Sequence, residues 1–179
     1  MDGSGEWVAV ALWCGGAARL EPRDRFIGWD MRKREERAGL VTQLARFMVP
    51  DAARRPNLAS QALGAALRAL PGQFAAKYGF EPALAESFSD PELHEGTVYK
   101  ATGWEKLALS KGFSREYADY YVSNGRPKVL WVRPLRDGWR ESLRATVPPE
   151  RDAAGIAPSR LWPFPEEGAQ SLVGALVAV

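Results

Sequence analysis

The sequence predicts a mixed α/β sheet with helices on both faces. β-rich runs alternate with helix-periodic stretches over most of the chain. A long helical pattern follows directly on a strand that ends at proline. The length of 179 residues, 46% apolar and 26% charged, suits one ordinary globular domain.

The elements follow in order. Trp7–Trp13 reads W-V-A-V-A-L-W and Gly15-Gly16 supplies a turn before Ala17–Leu20, so a hairpin is expected. Asp30 can cap a helix over 31–45 with Leu40, Val41 and Leu44 on one face. Arg46–Pro50 then reads as a short buried strand. Asp51–Pro56 is a loop carrying Arg54-Arg55, and Asn57 sits where an N-cap belongs. Ala59, Leu63, Ala66, Leu70 and Phe74 recur at helical spacing, predicting a helix over 58–70 with a continuation after Pro71-Gly72 to Tyr78 and Gly79 as its C′ residue. Ala83–Ser89 is a strand, Gly96–Gly103 a short helical segment, and Trp104–Leu109 and Val129–Pro134 are strands. The domain is expected over 1–144. A Pro-rich extension follows over 145–179, its apolar end Leu172–Val179 docked on the domain.

Composition excludes several classes. No apolar run approaches the roughly 18 residues a spanning helix requires, so no membrane association is expected. Met1–Gly5 lacks a basic n-region and an apolar core, and Cys14 is the one cysteine, which predicts a reducing cytoplasm and no disulfide framework. With His94 the one histidine, zinc sites of the Cys/His kind are excluded and no metal site is expected. Net charge is only +2, but it is uneven: residues 21–68 carry ten basic against six acidic side chains, 126–144 six against two, and 81–95 five acids with no Lys or Arg. Arginine predominates, and its planar fork suits phosphate. The pattern fits either a solvated surface or a nucleic-acid footprint, with DNA the candidate partner. Oligomeric state is not fixed by any of this.

A strand that ends in a basic loop and opens a helix makes an anion site, because unpaired N–H groups point outward there. Seven words in order resemble the Druantia anti-phage protein A family, also found fused to or beside some transposases. They are R-D-R-F-I-G-W (Arg23–Trp29), A-R-F-M-V-P (Ala45–Pro50), P-N-L-A-S (Pro56–Ser60), K-Y-G-F (Lys77–Phe80), E-S-F-S-D (Glu86–Asp90), G-T-V-Y-K-A-T-G-W (Gly96–Trp104) and K-V-L-W-V-R-P-L (Lys128–Leu135). The stretch from Glu86 to Leu107 also resembles the phage Mom family, which adds a carbamoylmethyl-type group to adenine in DNA. Its D-P-x-x-H-x-G-x-x-Y-x-A is met by Asp90, Pro91, His94, Gly96, Tyr99 and Ala101, and Arg46 and the Asn57/Ser60 word match as well. Both families look like variants of the GNAT acetyltransferase fold. The resemblance implies a GNAT-like mixed sheet and acetyl-CoA or a related acyl donor, its pyrophosphate received at 46–60. Aligned on Arg55, the GNAT loop pattern R/Q-x-x-G-x-G/A sets Leu58 and Ser60 at its glycine positions. Val98 replaces a family cysteine, which excludes thiol catalysis there.

The candidate site residues follow from both lines. Arg46, Arg55, Asn57 and Ser60 are the expected donor-binding residues. Arg46 in an apolar strand needs a partner, either a ligand or the carboxylate of Asp90 or Glu86. Asn57 also reads as a plain N-cap. Asp90 ends a strand at the edge where α/β sheets bind ligands, so it can serve as a general base or simply form the turn before Pro91. Tyr99 can protonate a leaving group or pack, and His94 can titrate near neutrality or sit exposed on its loop. Asp24, Trp29 and Trp104 are the substrate-side candidates, although Asp24 can equally pair with Arg23 and the tryptophans can be core. Three functions fit. One is a GNAT-like acyltransferase acting on a nucleobase amine in a Mom-like or phage-defence context. The others are a catalytically degenerate module binding DNA or a defence or transposition partner, and an acyltransferase for a small-molecule amine.

Overall fold

The computed structural model describes residues 6–110, 112–115, 121–123 and 125–146. Its elements are β1 (Val10–Gly15), α1 (Glu21–Ile27), α2 (Met31–Arg37), β2 (Val41–Met48), α3 (Leu58–Tyr78), β3 (Leu84–Ser89), α4 (Thr97–Ala101), β4 (Glu105–Leu109), β5 (Phe113–Arg115), β6 (Tyr121–Ser123), β7 (Val129–Pro134) and α5 (Trp139–Arg144). Five strands form one sheet in the order β1-β2-β3-β7-β4, and β5 pairs with β6 apart from it. Only β2 and β3 are parallel within the main sheet; its other pairs are antiparallel. The expected mixed sheet with helices on both faces is therefore what the chain forms. The expected extension from 147 onward lies outside the described residues.

Alternation along the strands builds two cores. Leu44, Ala85, Val129 and Trp131 face Leu63, Ala66 and Leu67 of α3 together with Tyr99 of α4. Val41, Leu84, Leu130 and Val132 face the other way, onto Ile27, Trp29 and Leu143. A sheet buried on both faces explains why its strands read as nearly continuous apolar runs.

Two expected elements are corrected. Gly15-Gly16 makes no hairpin: β1 pairs with β2, and Gly16 instead approaches β2 so closely that a Cβ there would lie 2.8 Å from Val41 Cγ1. The helix begun at Asp30, whose side chain accepts from the Lys33 N–H, stops at Arg37 rather than 45. A 3-10 turn over Ala38–Leu40 follows, and the β-branched pair Val41-Thr42 opens the strand. Leu40, Val41 and Leu44 satisfied a helical spacing and a buried strand equally well. Two short helices were not expected. Each nevertheless carries a boundary signal in glycine: Gly28 closes α1 at φ 87°, and Gly138 precedes α5 at φ 63°.

The face that carries α1 and α5 holds a buried ionic cluster. Arg23, fully buried, donates to Asp24 Oδ1 at 2.7 Å and to Glu86 Oε2 at 3.1 Å, and reaches the Ala17 carbonyl at 2.7 Å. Arg34 closes the set on Asp24 Oδ2 at 3.2 Å. Burial pushes the Glu86 carboxyl above the usual carboxylate range, while Arg23 and the Ala17 N–H draw it back down. A raised carboxylate value in the fold means that the stabilising state is the protonated one, present at low pH and lost as pH rises. Arg23→Met leaves this carboxylate without its cation and is expected to cost about 3–5 kcal/mol at pH 7. The loss shrinks as pH falls and Glu86 takes a proton; urea unfolding at pH 7 and at acidic pH measures both.

Candidate functional site: a cleft where two parallel strands part

β2 and β3 pair from Val41↔Leu84 to Leu44↔Ser87 and no further. Beyond that point β2 stays with β1 as far as Met48, and β3 stays with β7 as far as Ser89. Between Leu12 and Trp13 of β1, which face Arg46 and Leu44, β2 carries one extra residue, Ala45. Such a bulge bends its strand and adds right-handed twist, which turns β2 away from β3. A cleft of about 900 Å³ opens where the strands part, at their carboxyl ends.

Its walls come from four segments. Arg46 and Phe47 belong to β2, and Ser87 to Asp90 end β3. His94 and Gly96–Tyr99 come from the turn and helix that follow β3, and Arg126 and Lys128 from the approach to β7. Tyr99 is held on three sides. Its ring stacks on Trp131 at 5.1 Å, meets Trp104 edge-on at 5.4 Å, and its hydroxyl lies 2.8 Å from Ser87 Oγ. Ser87 Oγ in turn donates to the Leu44 carbonyl at 3.1 Å, at the point of divergence. Burial raises the Tyr99 phenol above its ordinary value, so the proton is retained at neutral pH. Trp131 is anchored through its indole N–H to Ser89 Oγ at 2.8 Å.

The sequence candidates divide. Arg46, Asp90, His94 and Tyr99 all line the cleft. Arg46 is exposed rather than buried, with Nη1 on the Ala45 carbonyl at 2.9 Å, and the expected partner Glu86 is taken by Arg23. Its side chain leaves the sheet at the bulge, which removes the need for a buried counter-ion. Asp90 is half-buried and does form the turn: Oδ1 accepts from the Glu92 N–H at 2.9 Å and its carbonyl from the His94 N–H at 2.9 Å. His94 is exposed on the rim. Asp24 and Trp29 lie away from the cleft, in the ionic cluster and the core beside it. The Trp29 indole N–H donates to the Leu143 carbonyl at 2.7 Å. Trp104 is buried behind Tyr99 and supports it rather than lining the cleft.

Arg55, Asn57 and Ser60 stand at the first turn of α3, outside the cleft lining. Asn57 adopts φ 63°, ψ −2°, and it is the one non-glycine residue with positive φ among those described. Asparagine tolerates this left-handed region better than most residues. Asn57 thus takes in the backbone a conformation for which glycine is ordinarily used. No side chain caps the turn, and Ser60 Oγ bends back to the Asn57 carbonyl at 3.0 Å. Uncapped amides, the helix dipole and the exposed Arg54 and Arg55 together fit an anion.

Ser87 and Ser89 were not singled out from the sequence. The signal was present in E-S-F-S-D: two hydroxyls at alternate positions of a buried strand must each have a partner. Among the described residues no cluster of His, Cys, Asp and Glu could hold a metal ion, and no helix is long and apolar enough to cross a membrane.

Fold and site together define an α/β protein with a ligand cleft at the split end of its parallel strand pair. The chain belongs to the Druantia protein DruA family, whose model matches residues 12–122. That span contains β2, the first turn of α3, Ser87, Asp90 and Tyr99. No curated protein matches the chain. Among solved structures, an acetyltransferase of Bacillus subtilis in complex with CoA is similar at 16% identity, over 75% of this chain and 72% of that one, with a TM-score of 0.45. Arylalkylamine N-acetyltransferase 2 from Aedes aegypti is similar at 13% identity, over 76% and 71%, with a TM-score of 0.41. Likeness of this degree does not extend to activity or ligands.

Gly96 tests how rigidly the site is built. It sits at φ 74°, and a Cβ there would run into the six-membered ring of Trp131. Gly96→Ala is expected to cost about 2 kcal/mol or more by overpacking and backbone strain. Thermal unfolding measures the loss, and near-ultraviolet circular dichroism reports displacement of the Tyr99–Trp131 stack.

Proposed function

We propose that the cleft is the transfer site of a GNAT-like acyltransferase that modifies an amine of a DNA nucleobase, in a phage-defence setting. The observation that carries this reading is the divergence of β2 and β3 beyond Leu44 and Ser87, with a buried, protonated tyrosine at its apex and an anion-fitting helix start following β2. The first turn of α3, with Arg54, Arg55 and Asn57, would hold the anionic part of acetyl-CoA or a related donor. Arg46 would meet it from the cleft wall. When bound, such a donor supplies an activated acyl group and a thiol leaving group.

The chain's own residues then have defined tasks. Asp90, on the cleft wall, takes a proton from the attacking amine as its lone pair forms the new bond to the acyl carbon. Tyr99 gives its phenolic proton to the departing sulfur, and Asp90 returns a proton to the phenolate through solvent. Holding both reactants in one cleft supplies much of the rate. The Mom-like match of Asp90, His94, Gly96 and Tyr99 supports a nucleobase as acceptor, as do the exposed cations Arg46, Arg126 and Lys128 on the rim.

Acetyl-CoA at about 100 times its Kd is expected to stabilise the protein by about 2.7 kcal/mol, a rise of several degrees in Tm. Ser60→Asp places a carboxylate in the first turn of α3. There it favours the helix but repels an anion, so the free protein keeps its Tm and the ligand shift disappears. A shift retained in Ser60→Asp contradicts this donor site. The exposed cations also favour a second reading, a DNA-binding module without transfer chemistry. Its signature is duplex binding that weakens steeply with salt while no product forms.

A further inference from the structure

The hydrogen bonds at the apex of the cleft fix where protons lie. The Leu44 carbonyl can only accept, so the single Ser87 hydroxyl proton is committed to it at 3.1 Å. The 2.8 Å bond between Ser87 and Tyr99 must then be made by the tyrosine proton and a serine lone pair. The phenol cannot swing free, because Trp131 stacks on its ring and Trp104 abuts it edge-on. Its acceptor capacity is thereby left for the cleft that Tyr99 lines.

We propose that Ser87 is a positioning residue that turns the Tyr99 proton toward the apex, so that the resting phenol presents an acceptor to the cleft and selects an incoming group that carries an N–H. This selection rests on the cleft being the transfer site. An amino group, as on adenine or cytosine, donates to the phenol and places its nitrogen beside the apex. A carbonyl at the same position, as on hypoxanthine or uracil, meets lone pair with lone pair. Asp90 on the same wall is a second acceptor and adds to the discrimination. Only when a stronger acceptor is generated does the phenolic proton rotate away from Ser87. The same hydroxyl group thus recognises the amine first and acts as an acid later.

Two measurements test this. In the first, 3-fluorotyrosine is placed at position 99, and 19F NMR follows ionisation of that one phenol without any ligand. Ser87→Ala is expected to move the midpoint downward, because a bond donated by the neutral phenol favours its protonated form and is then gone, and Ser87→Thr to restore it. Ser87→Cys, nearly isosteric and a weak hydrogen-bond acceptor, gives an intermediate midpoint and serves if the alanine variant fails to fold. An unchanged or raised midpoint in these variants overturns the role of Ser87. In the second, deoxyadenosine and deoxycytidine are compared with deoxyinosine and deoxyuridine as ligands of the native protein. The amino pair is expected to bind about tenfold more tightly, and the preference to fall in Ser87→Ala. Equal binding of the two pairs overturns the selection. A lowered fluorine midpoint with no nucleoside bound upholds the proton placement but overturns the transfer-site reading on which the selection rests.

Discussion

Beyond Leu44 and Ser87 the two parallel strands of the sheet separate, and nearly everything at the candidate site follows from that separation. A strand can leave a neighbour only if its other edge stays paired; here β1 keeps β2 and β7 keeps β3. The extra residue Ala45 supplies the bend. Ser87 supplies the closure, since its hydroxyl takes the Leu44 carbonyl where the ladder ends. The separation then needs a floor, and Tyr99 and Trp131 provide one whose polar atoms are satisfied by the two serines of β3. Gly96 is required there because the chain must pass directly over the Trp131 ring.

Such a cleft is useful only if the two halves of the sheet are held firmly, and the opposite face does this. Arg23 joins α1 to β3 through Glu86 and reaches the segment after β1 through the Ala17 carbonyl. Trp29 and Arg37 tie the helical layer to the C-terminal end of α5, on the carbonyls of Leu143 and Ala145. Arg140 lies over both Phe26 and Trp139 at about 4.5 Å. Buried charge of this kind adds little net stability but penalises any arrangement that breaks it. In this chain it fixes the register between α1 and β3, and hence the position at which β3 meets β2.

Most of the architecture was legible because its signals are local. The spacing of Leu63, Ala66 and Leu70, the left-handed Gly79, and the run Val129–Pro134 each specify an element without reference to the rest. The failures lie where one pattern served two structures. Leu40, Val41 and Leu44 suit a helix face or a buried strand, and only the pairing with β1 and β3 decides. Gly15-Gly16 suits a turn or a close approach, and the position of Val41 decides. At the site, the words containing Asp90 and Tyr99 were readable. Ser87 was not, because a serine in a strand announces no partner until the fold brings a tyrosine to it. Asn57 shows the reverse case. Read as letters it is an N-cap or a donor-binding residue, yet in the backbone it takes the conformation for which glycine is used.

The central claim is that the split between β2 and β3, together with the first turn of α3, receives one extended anionic donor. Amide hydrogen exchange with and without coenzyme A tests it most directly, since the two segments concerned lie apart in the sequence and have no other reason to respond together. The account predicts slower exchange in two separated segments, 45–48 and 58–61, with the β4–β7 pair unchanged. Protection confined to 58–61, or none at all, would contradict the claim and leave the cleft without a donor.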